Sequence, residues 1–441
     1  MASLTLNPGD GTYEDRLSGV FNGTASASQP SLIVQPSHDD DVSAALGLAL
    51  QNGLSVSVHG GGASCFCAQD DQLMLDLSAA MNGIFVEGNR VRLQGGVSMG
   101  MLLSSLAPHG RMVPVGTHPS PGFGLLTMAG IGHLSRSLGL TLDAIVSLRG
   151  VRADGEQFLI TAESDDQELW TLLRGAALFL AVITEAELST FPRQPLSVLR
   201  VINKLDLLEE AIAAAETLDV QASCSMILAV PPDKDMPFLL VYGVAAEAHR
   251  QLLQAIPAEG LSWKEKVDGL EVLPAFEMPL VDGTVLAPLP IQPDRHKRDR
   301  TWTYSISLPG GIGKQLSGIL LEALQKLPNR HCRIDLQHIG GIVSEIPIDQ
   351  TLYRGRHAQW SVVVSTCWPA ADEAAANAAS AWTDALFDAL VPLAVHYYLV
   401  ERHPGTIRYK KELQLAYGPW LDRLRARKAA WDPNGILPDL I

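Results

Sequence analysis

No stretch of the 441 residues holds about 18 apolar positions in a row, so the sequence offers no membrane-spanning helix and no membrane partner is expected. The first residues, Met1-Ala2-Ser3-Leu4-Thr5-Leu6-Asn7-Pro8-Gly9-Asp10, lack the basic start and apolar run of a secretory signal, and a cytoplasmic location is expected. Cysteine is sparse. Cys65, Cys67, Cys224, Cys332 and Cys367 are odd in number and scattered, which argues against a disulfide framework. Cys65-Phe66-Cys67 is one residue short of the usual metal spacing and no second pair follows, so no metal site is expected. Basic residues are also few, 33 Lys and Arg against 48 Asp and Glu. The resulting charge of −15, with no basic stripe to offset it, argues against nucleic acid as a partner.

What is present is a folded globular composition, 47% hydrophobic and 18% charged, in a chain long enough for two lobes. Short β-branched runs at 32–34 and 55–58 flank a helical pattern at 41–51, an α+β texture. Pro192 and Pro195 mark a boundary. Beyond it, strands are expected at 226–230, 238–242 and 360–366, and helices at 316–325 and 370–390. Between Glu271 and Arg300 five prolines precede a mixed-charge segment, 294–300, that reads as a solvated loop. No internal repeat and no signal for oligomeric state stands out.

The most informative stretch is Val56-Ser57-Val58-His59-Gly60-Gly61-Gly62-Ala63-Ser64, a β-branched strand breaking into three glycines. Bare backbone lets N–H groups converge on a phosphate, although a tight turn between strands uses glycine in the same way. Other motifs are weaker. Gly96-Val97-Ser98-Met99-Gly100 matches a nucleophile elbow, but no triad partners accompany it. Pro309-Gly310-Gly311-Ile312-Gly313-Lys314-Gln315 lacks the first glycine and the final Ser or Thr of a phosphate loop. Gly122-Phe123-Gly124 is followed by Thr127 where a dinucleotide fingerprint needs glycine. Near the C-terminal end, His396-Tyr397-Tyr398 and Glu401-Arg402-His403 gather phenol, carboxylate and imidazole groups suited to proton transfer, while packing and a solvated turn account for them equally simply.

The glycine turn also resembles the flavin-binding turn of the vanillyl-alcohol oxidase/berberine bridge enzyme family, with its PCMH-type FAD-binding domain. His59 stands at the family's arginine and Ala63 at its flavin-tethering histidine. Similar agreement in order runs through Pro30-Ser31-Leu32-Ile33-Val34-Gln35-Pro36, Leu75-Asp76-Leu77-Ser78, Val115-Gly116-Thr117, Gly130-Ile131-Gly132-His133-Leu134-Ser135-Arg136, Leu172-Leu173-Arg174-Gly175 and Val182-Ile183-Thr184-Glu185. It resumes at Tyr417-Gly418 and Trp431-Asp432-Pro433-Asn434, and Gly340-Gly341-Ile342-Val343 to Arg356 resembles a family strand with its following turn.

The resemblance implies a two-lobed α+β fold, with a PCMH-type FAD-binding domain at 1–193, a substrate domain at 194–394 whose antiparallel sheet is covered by helices, and a C-terminal return at 395–441. It implies FAD held by His59, Gly60, Gly61, Gly62, Ala63, Ser64, Gly116, Thr117, Gly130, Ile131, Gly132 and Ile183. Ala63 and Met112 occupy both tether positions, so the FAD is expected to be noncovalent. Met128-Ala129, Ala176-Ala177-Leu178 and Ala181 replace family glycines and are expected to crowd the flavin. Tyr398, Glu401, His403 and His133 are the catalytic candidates. The implied activity is an oxidase or dehydrogenase acting on a small organic molecule of secondary metabolism; the alternative is a redox-neutral cyclase on the same scaffold.

Overall fold

The computed structural model describes residues 4–231, 234–257, 273–274 and 294–441. At the start of the chain a four-stranded sheet runs in the order Leu4–Leu6, Leu32–Gln35, Leu73–Asp76, Val56–His59. Its last three strands are parallel, which requires crossovers, and the helix Asp39–Gln51 provides one. Asp39, Asp40 and Asp41 fill the first turn of that helix, where its dipole favours carboxylates. Val42, Ala45, Leu46 and Ala49 form its buried stripe.

A five-stranded antiparallel sheet follows, ordered Ile84–Glu87, Arg90–Gln94, Ala181–Ser189, Ile145–Arg152, Gln157–Thr161. The helix Gln167–Leu180 leads into its central strand but breaks at Arg174, Gly175 and Ala176. The break has a packing cause. Gly175 sits at φ +142, and a Cβ there would lie 2.8 Å from the carbonyl carbon of Leu352, whose N–H donates to the Arg174 carbonyl at 2.8 Å.

The third sheet is antiparallel throughout, in the order Leu273–Pro274, Leu196–Asn203, Phe238–Ala246, Ala222–Ala229, Arg333–His338, Trp360–Trp368, Arg300–Leu308, His396–Tyr397. Along Arg333–His338, Ile334, Leu336 and His338 are buried while Arg333, Asp335 and Gln337 are half-exposed, the alternation of a sheet with two unlike faces. Helices Leu208–Glu216, Gly313–Leu324 and Glu373–Leu390 pack together over this sheet. The fold is α+β with an antiparallel sheet covered by helices. The chain then returns to its start: Val56 N–H donates to the Ile436 carbonyl at 2.8 Å, and Lys428 Nζ reaches the Phe179 carbonyl at 3.4 Å.

Two expectations are corrected. Residues 340–343 are not a strand: the strand ends at His338, Gly340 and Gly341 take φ values of +90 and +57, and Ile342–Glu345 is a helical turn. The segment 294–300 is a solvated loop only in part: Asp294, His296 and Lys297 are exposed, but its arginines are anchored. Arg295 is 2% exposed and bonds Glu14 Oε2 at 2.9 Å and the Ser26 carbonyl at 2.6 Å, while Arg298 bonds the Ser18 and Val20 carbonyls. These arginines clamp the N-terminal segment onto the third sheet's edge. The proline-rich stretch before them lies outside the described residues, except 273–274.

Candidate active site

The strand Val56–His59 ends in a turn whose bareness the protein itself requires. A Cβ on Gly61 would fall 1.9 Å from the Ser120 carbonyl oxygen, and one on Gly60 would fall 2.8 Å from that of Gly95. Gly62 takes φ +73. The carbonyls of Gly62 and Ala63 accept from Asn22, through its N–H at 2.9 Å and Nδ2 at 3.1 Å. The backbone N–H groups from Gly60 to Ser64, by contrast, donate to no acceptor among the described residues. Successive unpaired N–H groups in a turn that enters the left-handed region form an anion-binding concavity. Ser64 Oγ accepts from the Phe66 N–H at 3.2 Å and steadies the exit of the turn.

Behind the turn lies a buried ionic network. Asp76, sealed from solvent, accepts from Arg16 Nη2 at 2.7 Å and Arg16 Nε, from Gln35 Nε2 at 3.0 Å, from Ser78 Oγ at 2.9 Å, and from His59 Nδ1 at 2.9 Å. Burial pushes the Asp76 carboxyl up, but the hydrogen bonds and charges of His59 and Arg16 outweigh it and hold the group well below the ordinary carboxylate range.

Tyr398 reaches Gly130, and Glu401 reaches the loop just past the turn. Tyr398 OH accepts from the Gly130 N–H at 3.1 Å, and burial pushes its phenol well above the usual range. Glu401 Oε2 lies 4.0 Å from Cys65 Sγ, just past the turn. Burial raises its carboxyl to about 8 against the opposing charge of Arg402, which stacks on Phe66 at 4.3 Å. Glu401 is therefore a largely protonated acid at neutral pH whose base form appears within reach of physiological conditions.

The other expected residues divide. Gly116 and Gly132 sit where backbones meet: a Cβ on Gly132 would lie 1.8 Å from the Val115 carbonyl, and one on Gly116 2.5 Å from Leu125 Cδ1. Gly130 packs on Thr141, Ile131 is sealed, and Thr117 Oγ1 accepts from Gln337 Nε2 of the third sheet at 3.4 Å. Ile183 presents its carbonyl to Gly95, which in turn meets Gly60, so this strand does back the turn. His133 faces the third sheet, stacked on Tyr242 at 4.7 Å; burial and the Arg200 charge lower it to about 4.

His403 is drawn away from this cluster. Its Nδ1 lies 2.7 Å from Glu412 Oε1 and its Nε2 3.0 Å from the Thr303 carbonyl, and Arg408 Nε reaches the same Glu412 oxygen at 3.1 Å. Both ring nitrogens are committed to a buried network, so the structure gives His403 a packing role. The expected crowding by lost glycines is corrected too: Met128, Ala129, Ala176 and Ala177 are sealed in the apolar core and pack against protein. Ser98, the would-be nucleophile, caps the helix Met99–Leu106 by accepting from the Met101 N–H at 3.4 Å. Among the described residues no His, Cys, Asp and Glu cluster has metal-binding geometry, and no helix is long and apolar enough to cross a membrane.

Comparison with known proteins converges on this geometry. A family described as a FAD binding domain matches residues 30–161, the segment holding the turn and the parallel sheet. The structure of the wild-type BBE-like 1 protein of Physcomitrella patens superposes with a TM-score of 0.81, covering 100% of this chain and 96% of its own, at 18% identity, a likeness of fold. The chain resembles the FAD-linked oxidases of the vanillyl-alcohol oxidase type, by its FAD binding domain at 30–161 and by fold over its whole length. A FAD-linked oxidoreductase of Dictyostelium discoideum is 24% identical over 438 residues, 98% of this chain and 92% of its own length. The (R)-6-hydroxynicotine oxidase of Paenarthrobacter nicotinovorans is 32% identical over 199 residues, 44% of this chain and 43% of its own. FAD is the cofactor, and the unpaired N–H groups of Gly60 to Ser64 fit its diphosphate.

Sequence reasoning missed Asp76, Arg16 and Asn22 as supports of the turn. Asp76 carried a signal, a lone carboxylate ending an apolar strand beside a histidine-bearing one; Arg16, 60 residues away in the chain, carried none.

Proposed function

We propose that this protein is a FAD-dependent oxidase or dehydrogenase that removes hydrogen from an activated C–H bond of a small organic molecule. Its FAD is held noncovalently, since Ala63 and Met112 offer no attacking atom. Residues 1–193 and 395–441 form the FAD-binding part in this reading, and 194–394 the substrate part. FAD, when bound, supplies the two-electron acceptor. Glu401 takes the substrate's proton in its carboxylate form, and Tyr398, steadied by the Gly130 N–H, keeps an O–H to donate to a substrate heteroatom. The observation that carries this reading is Glu401 beside the glycine turn with its carboxyl raised to about 8. Relatives named for hydroxynicotine and glucooligosaccharide support small substrates. A cytoplasmic setting in secondary metabolism completes the reading, and the five unpaired cysteines agree with it.

A redox-neutral cyclase is the second reading, favoured by one fact: Tyr398 and Glu401 both keep their protons near neutral pH, and paired acids suit ring closure without oxidation. Anaerobic mixing with candidate substrates separates the two. The oxidoreductase loses its visible flavin absorbance, and Glu401→Gln slows that loss far more than it weakens substrate binding. A product of unchanged mass with the absorbance intact supports the cyclase.

A further inference from the structure

Asn22 uses every polar atom it has, and it uses them on three parts of the molecule. Its Oδ1 accepts from the Thr24 and Ala25 N–H groups at 2.9 and 3.1 Å, and its backbone carbonyl accepts from the Ser26 N–H at 2.8 Å, which caps and opens the helix Gly23–Ala27. Backbone N–H groups can only donate, so the other amide atom is Nδ2. It donates to the Ala63 carbonyl at 3.1 Å and to Thr301 Oγ1, on the strand Arg300–Leu308, at 3.3 Å. The Asn22 N–H donates to the Gly62 carbonyl at 2.9 Å. The third sheet holds this residue from behind: the Thr301 N–H donates to Thr24 Oγ1 at 3.2 Å, and a Cβ on Gly23 would fall 2.3 Å from the Asp299 carbonyl oxygen.

A trans peptide unit is planar, and its C=O and N–H point in opposite directions. The Gly62 carbonyl shares a unit with the Ala63 N–H, and the Ala63 carbonyl shares one with the Ser64 N–H. Two carbonyls drawn towards Asn22 therefore turn two N–H groups away from it, and both belong to the run that donates to no acceptor among the described residues. Gly62, at φ +73, has conformations open to it that a side chain would close, so the two peptide planes need fixing from outside the turn. We infer that Asn22 is a positioning residue for the cofactor, aiming the Ala63 and Ser64 N–H groups at the FAD diphosphate before it arrives. The inference rests on the FAD assignment and on the turn as its cradle. Donors fixed in advance bind an anion without the cost of ordering them.

The test measures dissociation constants on apoprotein for FAD, by flavin fluorescence quenching, and for ADP, which carries the diphosphate without the flavin, by calorimetry. The variants are Asn22→Ser and Asn22→Asp. Ser and Asp both cap helices well, so the helix start survives in each. Asp has no donor for the Ala63 carbonyl, and the shorter Ser hydroxyl is taken up by the cap. Asn22→Ser should weaken FAD and ADP by the same factor, about tenfold, the worth of one hydrogen bond to a charged group. Asn22→Asp should weaken both further, because its carboxylate repels the Ala63 carbonyl and the diphosphate alike. A residue that only capped its helix would leave both constants of Asn22→Ser at the wild-type value. A measurement on the wild type alone guards against variants that fail to fold: FAD and ADP should each slow amide hydrogen exchange at Ala63 and Ser64. Unchanged constants in Asn22→Ser, a loss for FAD with none for ADP, or exchange at Ala63 and Ser64 that neither ligand slows would overturn the inference. Failure of the wild type to bind FAD at all would instead bring down the cofactor assignment beneath it.

Discussion

Two polar regions of this molecule, each drawing on the segment 401–403, differ in kind. Around His403, Glu412 and Arg408, most buried polar atoms answer one another: Glu412 Oε1 takes both neighbours and His403 uses both ring nitrogens, with only Glu412 Oε2 and Arg408 Nη2 left over. Around the turn Gly60 to Ser64, backbone N–H groups are left unanswered among the described residues, His59 Nε2 finds no partner there, and the half-buried Glu401 forms no ion pair with them. A closed network holds a fold together. An open one awaits a ligand, because leaving buried polar groups unpaired is costly unless something else completes them. Glu401 and His403, two positions apart, fall on opposite sides of this division.

The largest effect should come from breaking the closed region. Glu412→Ala leaves His403 and Arg408 without their shared carboxylate and is expected to destabilise the protein by about 3–5 kcal/mol, read by urea unfolding, with FAD affinity unchanged in the folded fraction. Full stability with lost turnover would place the chemistry at His403 instead. Gly61→Val is next. Its Cβ would collide with the backbone of Ser120 to Gly122, so the turn must shift, and FAD affinity should drop by about a hundredfold or more, roughly 2.7 kcal/mol. Normal FAD uptake by this variant would show that the turn is not the cradle.

Much of this was legible in the sequence, and the failures have physical reasons. The strand 55–58 and its glycines were visible because β-branched residues and a glycine run are local signals, and the observed strand is Val56–His59. Tyr398 and Glu401 could be named but not separated from His403, since proton-transfer residue types do not reveal their partners; Glu412, which claims His403, lies nine residues on across a loop. The helix break at Arg174 to Ala176 was invisible because its cause, the Leu352 backbone, arrives from the far lobe. The expected crowding by Met128 and Ala129 failed for a related reason: a sequence shows that a side chain is present, not which way it packs.

Smaller effects sharpen the comparison. The Glu401 carboxyl is raised from 4.5 to about 8, so the folded state prefers the protonated form, and stability from this group falls as pH climbs from the ordinary glutamate value towards about 8. Glu401→Gln should flatten that part of the stability profile, while wild-type turnover should rise through about pH 8 as the base form appears. Melting curves and rates on one pH series check both; identical wild-type and Glu401→Gln profiles would contradict the burial of this carboxyl. Ser98→Ala should do least, costing up to about 1 kcal/mol for a long N-cap bond and leaving turnover intact. Abolished turnover in a folded, flavin-loaded Ser98→Ala protein would point to a hydrolase.

The most direct test is a visible absorption spectrum of the purified protein after saturation with FAD and removal of the excess, repeated on the supernatant and pellet after acid precipitation. A turn with unpaired N–H groups and no tether at Ala63 or Met112 predicts a yellow protein whose flavin passes entirely into the supernatant. A protein that stays colourless, or flavin that remains on the pellet, would contradict the noncovalent cradle.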